Sequence, residues 1–195
     1  DRGGKCRFHL WGELEENLGT TLRVKSSVLR LFWEAEKKQS LTEISLDISS
    51  YGGSIYSIYG AIDFYDELKS EGILVNTKAQ GICMSAATIL LSGGTGVRSA
   101  TKRCKFMLHD IQTDGGIGGT ATQVKEYAKT LDKEQKELFR FYVEFSKNKS
   151  SKKKMSEKEL EDETKKWMTK YATNSVDHYI SAQQAKDLRL IDKII

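Results

Sequence analysis

This sequence contains a serine and a histidine that together could carry out nucleophilic chemistry. Ser85 ends the segment GICMS at 81–85, and His109 ends the segment KFMLH at 105–109. A serine hydroxyl is a weak nucleophile unless a base such as histidine accepts its proton, and a carboxylate commonly orients that base. Taken singly, Ser85 fits a small core residue bonded to a helix carbonyl, and His109 fits a structural histidine. Only the combination of the two indicates catalysis.

Backbone amides near Ser85 could complete such a site. The pattern predicts a helix that begins near Ser85, and the first N–H groups of a helix have no partner within it. The N–H of Ala86 could therefore hold the oxyanion that forms when a serine attacks a carbonyl. The segment YGGS at 51–54 offers a second donor, because Gly52 and Gly53 let the backbone approach a ligand closely.

The elements that position these groups alternate between strand and helix patterns. This alternation predicts an α/β fold with a mostly parallel sheet, and the active residues of such folds gather at the carboxyl ends of strands. We predict strands at 5–12, 44–49, 72–81 and 103–109, a turn at SYGGS (50–54), helices within 13–38 and at 55–70, 83–94 and about 121–147, and a glycine-rich arm at 110–120.

Composition argues against several classes of protein. Among 195 residues, 31 Lys and Arg against 27 Asp and Glu leave a net charge of +4, which does not indicate nucleic-acid binding. Cys6, Cys83 and Cys104 show no CxxC spacing, so we expect neither a disulfide framework nor a zinc site, and free thiols favour a reducing compartment. We find no apolar run of membrane-spanning length and no signal peptide, and since the sequence does not begin with Met, we expect residues upstream of Asp1.

Taken together, these segments resemble the ClpP-type serine peptidases, the self-compartmentalising proteolytic subunits of ATP-dependent Clp (caseinolytic) proteases. The resemblance runs from RFHLWGEL to AKDLRLID and covers most of the chain. It is carried by SYGGS (50–54) where the family has SPGGS, by GICMS (81–85) for its G-x-x-x-S segment, by FMLH (106–109) for a strand ending in M-I-H, by the glycine-rich GGIGGTAT (115–122), and by VDHYISAQQAKDLRLID (176–192).

The resemblance implies an architecture and a set of roles. The fold would be the repeated βαβ spiral core of the ClpP and crotonase type, with a protruding helical handle. Residues 1–195 would form a single ClpP-like domain, and 110–170 would supply the glycine-rich arm and the handle. The charged stretch near 147–166, KNKSSKKKMSEKELEDETKK, would be an insert in that handle, and it is our candidate for a mobile segment.

The same resemblance assigns the chemistry. Ser85 would be the nucleophile, His109 the general base and acid, and Asp177 the carboxylate that orients His109. The N–H of Ala86 and one N–H from Gly52 and Gly53 would form the oxyanion hole. The arm would pair with an extended peptide as an added strand. The implied substrate-binding residues are Ser54, Met84, Gly115, Gly116, Ile117 and Gly118, and no cofactor or metal ion is expected.

The resemblance also implies partners. We expect a peptide or an unfolded protein as substrate and a homo-oligomeric, seven-membered ring, with two rings stacked in many members of the family. An AAA+ unfoldase is a possible partner, whereas nucleic acid and membrane are not expected. The expected location is the cytoplasm, or an organelle matrix or host cytoplasm if the source is organellar or viral.

Several positions depart from the family pattern. Tyr51 stands in place of the proline of SPGGS, and Ser45 and Asp47 stand where two aromatic side chains help to form the cleft for the unfoldase. Ser175 and Val176 replace an Asp-Arg pair that links two rings. These departures predict a chain that keeps the triad residues while its regulatory surfaces are altered.

Two alternatives to a serine endopeptidase remain open from the sequence. One is a non-catalytic ring subunit that assembles with active paralogues, which the altered surfaces favour. The other is a crotonase-like acyl-CoA enzyme, because that class uses two backbone N–H groups as an oxyanion hole without a Ser-His-Asp triad.

Overall fold

A computed structural model describes residues 4–14, 21, 40–113, 116–148, 155–172 and 176–195. The chain divides into two compact units, and each is described by itself. The first unit comprises Asp1–Met107 and Tyr179–Ile195, and the second comprises Leu108–His178. The prediction of a single domain over 1–195 is not tested by this division and stays a prediction.

The first unit is built on a largely parallel sheet. The seven described strands are β1 (Gly4–Leu14), β2 (Leu41–Gly53), β3 (Leu74–Met84), β4 (Arg98–Ala100), β5 (Lys105–Leu108), β6 (His178–Ser181) and β7 (Lys193–Ile194). Of these, β5 and β6 each include one residue that is assigned to the second unit. The order is β1-β2-β3-β4-β7, and β5 pairs with both β3 and β6. The pairs β1–β2, β2–β3, β3–β4, β3–β5 and β4–β7 are all parallel. The α/β class with a mostly parallel sheet is therefore confirmed.

Strand β3 changes partner halfway along its length. Its first half, Thr77–Ala79, pairs with β4, and its second half, Ile82–Met84, pairs with β5. Between the two halves lies Gly81 at φ 70°, a conformation that glycine adopts without steric cost. This change of partner carries the end of β3 alongside β5.

Three of the described helices belong to the first unit. They are α1 (Tyr56–Ser70), α2 (Ala86–Ser92) and α5 (Ala182–Asp187). Every residue of α2 is buried, which fits its sequence AATILLS: five residues are apolar, and the hydroxyls of Thr88 and Ser92 donate to backbone carbonyls. Fully buried side chains of the core include Ile48, Ile58, Val75, Leu90 and Phe106.

The second unit contains a helical hairpin formed by α3 (Ala121–Asn148) and α4 (Glu157–Tyr171). Ser156 caps α4: its side chain accepts from the Glu159 N–H, and the Glu159 carboxylate accepts from the Ser156 N–H. This reciprocal arrangement is a capping box, which satisfies two backbone donors at the start of a helix. The long helix predicted at about 121–147 is confirmed.

Among the described residues, no helix is both long and apolar enough to cross a bilayer.

Several element boundaries differ from those predicted. The turn predicted at 50–54 is wrong, because β2 continues through Gly53 and pairs there with β1. Strand β3 continues past the predicted end at Gly81 to Met84, and α2 begins only at Ala86. In each case, strand pairing with a neighbour that is distant in sequence extends the strand across glycines that locally favour a turn.

Other predictions fall partly on positions beyond the described ranges. The helices predicted within 13–38 lie outside the described residues, except for 13–14, which belong to β1, and position 21. The charged insert near 147–166 is described in part and is helical from Glu157 onward. The short strands β4 and β7 were not anticipated, because two or three residues carry no readable periodicity.

An ion pair between the buried Arg98 and the partly exposed Asp192 joins β4 to the chain just before β7. The Arg98 side chain is 2% exposed and donates to Asp192, with Nη2 to Oδ1 at 2.7 Å. The Arg98 backbone N–H also donates to Asp192, at 2.8 Å, and Nη1 donates to the Ser92 carbonyl at 3.1 Å. A guanidinium so deeply buried depends on these acceptors for its solvation.

We expect Asp192→Ala to lower the free energy of unfolding by about 3 to 5 kcal/mol, because it leaves the buried Arg98 charge without its carboxylate. Chemical denaturation followed by circular dichroism measures this change. The control is Glu126→Ala, which removes an exposed pair with Lys129 and should cost less than about 1 kcal/mol. Equal effects from the two substitutions would contradict the importance of the Arg98–Asp192 pair.

Candidate active site

Ser85 adopts an unusual backbone conformation at the junction of β3 and α2. Its φ of 51° and ψ of −132° are rare for a residue with a side chain, and it is one of two such positive-φ residues among those described. Strained residues of this kind cluster at functional sites, and a serine on a sharp strand-to-helix turn is a known arrangement for a nucleophile. The prediction that Ser85 lies where a helix begins is confirmed, since it occupies the N-cap position of α2.

Backbone hydrogen bonds hold Ser85 in this conformation. Its N–H donates to the Met107 carbonyl of β5 at 2.8 Å. Its own carbonyl accepts from the Thr88 N–H at 2.9 Å and from the Thr88 hydroxyl at 2.6 Å. The serine is therefore fixed on one side by the sheet and on the other by the first turn of the helix.

Gly52 lies directly against Ser85. A Cβ built on Gly52 would lie 2.7 Å from the Ser85 Cβ, 3.2 Å from its Oγ and 3.0 Å from the Met84 carbonyl oxygen. Gly52 also has a φ of 108°, so both space and backbone conformation require glycine at this position. The structure therefore brings the segments SYGGS and GICMS together in the first unit.

The backbone N–H groups near Ser85 differ in their hydrogen-bond acceptors. The Gly52 N–H donates to the Ser50 hydroxyl at 3.1 Å, which engages this amide within β2 itself. Of the two glycines, this leaves Gly53 as the better source of a second oxyanion donor. Ala86, the other predicted donor, is the first residue of α2. The role of Ser50 was not predicted, although a hydroxyl two residues before a glycine commonly forms such a turn.

His109 and Asp177 lie close together in the second unit. The distance from His109 Nδ1 to Asp177 Oδ1 is 3.8 Å, longer than a hydrogen bond and within the range of an ion pair. The His109 side chain is 12% exposed, whereas that of Asp177 is 41% exposed. The carboxylate thus faces a largely buried imidazole from a partly solvated position.

Burial lowers the pKa of His109 below its ordinary value of 6.5, while the nearby charges of Asp177 and Asp110 oppose this shift by raising it. The net direction is downward, so the imidazole is neutral at pH 7 and able to accept a proton. The contribution of Asp110 was not predicted, although its position directly after His109 was visible in the sequence.

The predicted substrate-binding residues fall in both units. Ser54, whose N–H donates to the Leu14 carbonyl at 3.1 Å, and Met84 at the end of β3 belong to the first. Gly116, Ile117 and Gly118 belong to the second, where with Tyr127 they line an open pocket of about 500 Å³. Gly115 lies outside the described residues. These assignments stay predictions.

The positions that depart from the aromatic cleft pattern line a different pocket, of about 340 Å³, in the first unit. Ser45 and Asp47 both contribute to it. Asp47 is only 4% exposed, and its Oδ2 lies 3.6 Å from His9, 3.8 Å from Lys78 and 3.9 Å from Arg7. The pocket that Ser45 and Asp47 line is therefore charged in this chain.

Comparison of the sequence with known proteins identifies the family of this chain. A sequence model described as Clp protease matches residues 18–195. The ATP-dependent Clp protease proteolytic subunit 2 of Bifidobacterium longum is 33% identical over 174 residues, which cover 89% of this chain and 72% of that protein.

Further relatives carry similar names. The proteolytic subunit 1 of Shouchella clausii is 32% identical over 155 residues, covering 78% of this chain and 68% of that protein. The proteolytic subunit of Bacteroides thetaiotaomicron is 30% identical over 154 residues, covering 78% of this chain and 60% of that protein. The resemblance inferred from the sequence is confirmed, and the chain belongs to the Clp protease family.

Proposed function

We propose that this chain is a serine endopeptidase, with Ser85 as nucleophile, His109 as general base and acid, and Asp177 as the carboxylate that orients His109. The observation that carries the proposal is the strained backbone of Ser85, held against Gly52 where only glycine fits. A serine that served packing alone would gain nothing from a φ of 51°. The neutral His109 beside Asp177 and the membership of the Clp protease family support the same function.

The proposed reaction proceeds through an acyl-enzyme. The Ser85 oxygen bonds to the carbonyl carbon of the scissile peptide while its proton passes to His109, and the carbonyl electron pair moves onto oxygen. The N–H groups of Ala86 and Gly53 stabilise this oxyanion. The C–N bond then breaks as His109 protonates the leaving amine. Water, deprotonated by His109, attacks the acyl group, which releases the carboxylate product and restores Ser85.

Substrates of this site would be extended, unfolded peptides. The exposed segment with Gly116, Ile117 and Gly118 is neither helix nor strand, which leaves its backbone groups able to pair with a peptide. The subunits would assemble into a homo-oligomeric ring in the cytoplasm or an equivalent compartment. No described feature favours the acyl-CoA alternative, and membership of the Clp protease family leaves it without support.

The pocket around Asp47 bears on a possible unfoldase partner. A buried carboxylate surrounded by His9, Lys78 and Arg7 is a poor surface for an apolar docking segment, because burying these charges against apolar groups costs free energy. We therefore propose that a partner docking at this surface carries polar or charged side chains.

Ser85→Ala should remove fluorophosphonate labelling and lower peptide cleavage by about 10⁴-fold or more, because the nucleophile is lost. The control is Ser92→Ala at the other end of α2, where the Ser92 hydroxyl donates to the Thr88 carbonyl. This variant should keep both fluorophosphonate labelling and peptide cleavage. Labelling is read by mass spectrometry, and the particle mass of the same sample is compared with the 22.0 kDa chain. An intact ring whose Ser85 is never labelled would favour the non-catalytic subunit instead.

Gly52→Ala should slow labelling of Ser85 by about 100-fold, because the new methyl group displaces the nucleophile. Gly72→Ala provides a matched control: Gly72 also has a positive φ, of 78°, but an added Cβ there would meet nothing within 4 Å. Both variants should lose about 1 to 3 kcal/mol of stability from backbone strain. Comparable labelling rates in the two variants would show that the approach of Gly52 to Ser85 is unimportant.

The acid limb of the pH profile of kcat/KM should have its midpoint below 6.5, because protonated His109 cannot accept a proton and burial lowers its pKa. Asp177→Asn should move this limb to still lower pH and reduce kcat, since Asp177 raises the pKa of His109. Asp187→Asn, at the exposed end of α5, should leave the limb in place. A limb above 6.5, or one that Asp177→Asn moves upward, would contradict the proposed role of this pair.

A further inference from the structure

Asp177 faces His109 from a partly solvent-exposed position. Its side chain is 41% exposed, and the preceding residue, Val176, is 51% exposed. The following residue, His178, begins β6, and it is half-buried. A catalytic carboxylate must be held within a fraction of an ångström of its working position. The residues next to Asp177 therefore have to make the contacts that fix its position.

The ring of His178 makes such a contact. It packs edge-on against Tyr171, the last residue of α4, with ring centroids 5.6 Å apart and an interplanar angle of 89°. Tyr171 is itself 5% exposed. Edge-to-face contacts of buried rings fix their relative orientation, which restricts the backbone that carries them.

Further aromatic contacts extend this packing through the hairpin. Tyr171 contacts Trp167 at 5.4 Å, Trp167 stacks on Tyr142 of α3 at 5.7 Å and 11°, and Tyr142 contacts Phe139 at 5.5 Å. A continuous series of ring contacts therefore runs from the interior of the hairpin to the residue directly after Asp177.

The same helix α3 also holds the segment that carries His109. The backbone N–H of Ile111, two residues after His109, donates to the Gln135 side chain of α3 at 2.6 Å. Both members of the His109–Asp177 pair are thus connected to α3, one by a hydrogen bond and the other by aromatic packing. The distance between them depends on how α4 packs against α3.

Ion pairs on the outer side of the hairpin reinforce that packing. Arg140 of α3 makes a bidentate ion pair with Glu157 of α4, with N–O distances of 2.6 and 2.8 Å. Lys136 of α3 pairs with Glu161 of α4 at 2.9 Å. Bidentate arginine–carboxylate contacts fix geometry better than single ones do. The hairpin is accordingly a defined support rather than a loosely packed pair of helices.

We propose that His178 is a positioning residue, whose ring, packed on Tyr171 at the end of the α3–α4 hairpin, holds the Asp177 carboxylate beside His109. This inference rests on the proposed function of that pair. In this role His178 neither touches the substrate nor transfers a proton.

The contacts of His178 indicate that packing, not hydrogen bonding, performs this role. Its Nε2 is buried and makes no hydrogen bond with any residue that the structure describes. A phenylalanine ring would keep the contact with Tyr171 and remove a buried polar atom, so His178→Phe should preserve the position of Asp177. His178→Ala should release it.

The test compares His178→Ala and His178→Phe with Tyr179→Ala, which removes a larger but 63% exposed ring from the adjacent position. Steady-state cleavage of a fluorogenic peptide gives kcat and KM. We expect His178→Ala to lower kcat about tenfold or more with KM nearly unchanged, and the other two variants to remain within about twofold of the wild type.

A second readout separates positioning from stability. With ¹³C-labelled histidine, NMR follows the titration of His109 among the three histidines of the chain. Because Asp177 raises the pKa of His109, its displacement in His178→Ala should move the titration midpoint to lower pH. His178→Phe and Tyr179→Ala should leave the midpoint in place. A variant that merely unfolded would lose active protein without moving it.

Failure of this inference can be distinguished from failure of the proposed function. A wild-type protein whose Ser85 never reacts with fluorophosphonate would contradict the proposed peptidase, while the NMR titration would still decide the positioning role. An unmoved midpoint in His178→Ala, or equal impairment by His178→Phe, would overturn the positioning role even in a fully active peptidase.

Discussion

The conformation of Ser85 is the constraint on which the first unit depends. A φ of 51° at a residue with a side chain costs of the order of 1 to 3 kcal/mol and persists only where the surroundings fix it. Those surroundings are the Met107 carbonyl, the two donors of Thr88 and the close approach of Gly52. The burial of all of α2 supplies the packing energy that opposes this strain, because unwinding the turn would expose the helix.

In the second unit, opposing effects act on the pKa of His109. Burial disfavours the imidazolium, and the charges of Asp177 and Asp110 favour it. In the proposed reaction, the base must be neutral beforehand and must tolerate a positive charge during it, so the two influences would serve different stages of one cycle. The α3–α4 hairpin matters to this balance, because the distance of Asp177 from His109 determines how strongly the carboxylate acts.

Local patterns predicted the presence of most elements but not their limits. The amphipathic sequence at 55–70 and the long polar helix from Ala121 were readable from periodicity alone. The glycines of SYGGS predicted a turn, yet β2 extends through Gly53, because pairing with β1 satisfies its backbone there. Strand β3 likewise passes Gly81 to reach β5. Local propensity could not foresee these extensions, since each partner strand lies at least 20 residues away in sequence.

By itself, the sequence determined the α/β class from its periodicity and the candidate residues Ser85 and His109 from their residue types beside glycine-rich segments. Asp177 was implied only by the resemblance to the Clp protease family. Only the tertiary structure decided that Gly52 must be glycine, since the atoms it would strike belong to residues more than 30 positions away. It also decided the burial of His109 and the packing of His178 on Tyr171. Such properties depend on distances between segments remote in the chain, and a linear pattern does not contain those distances.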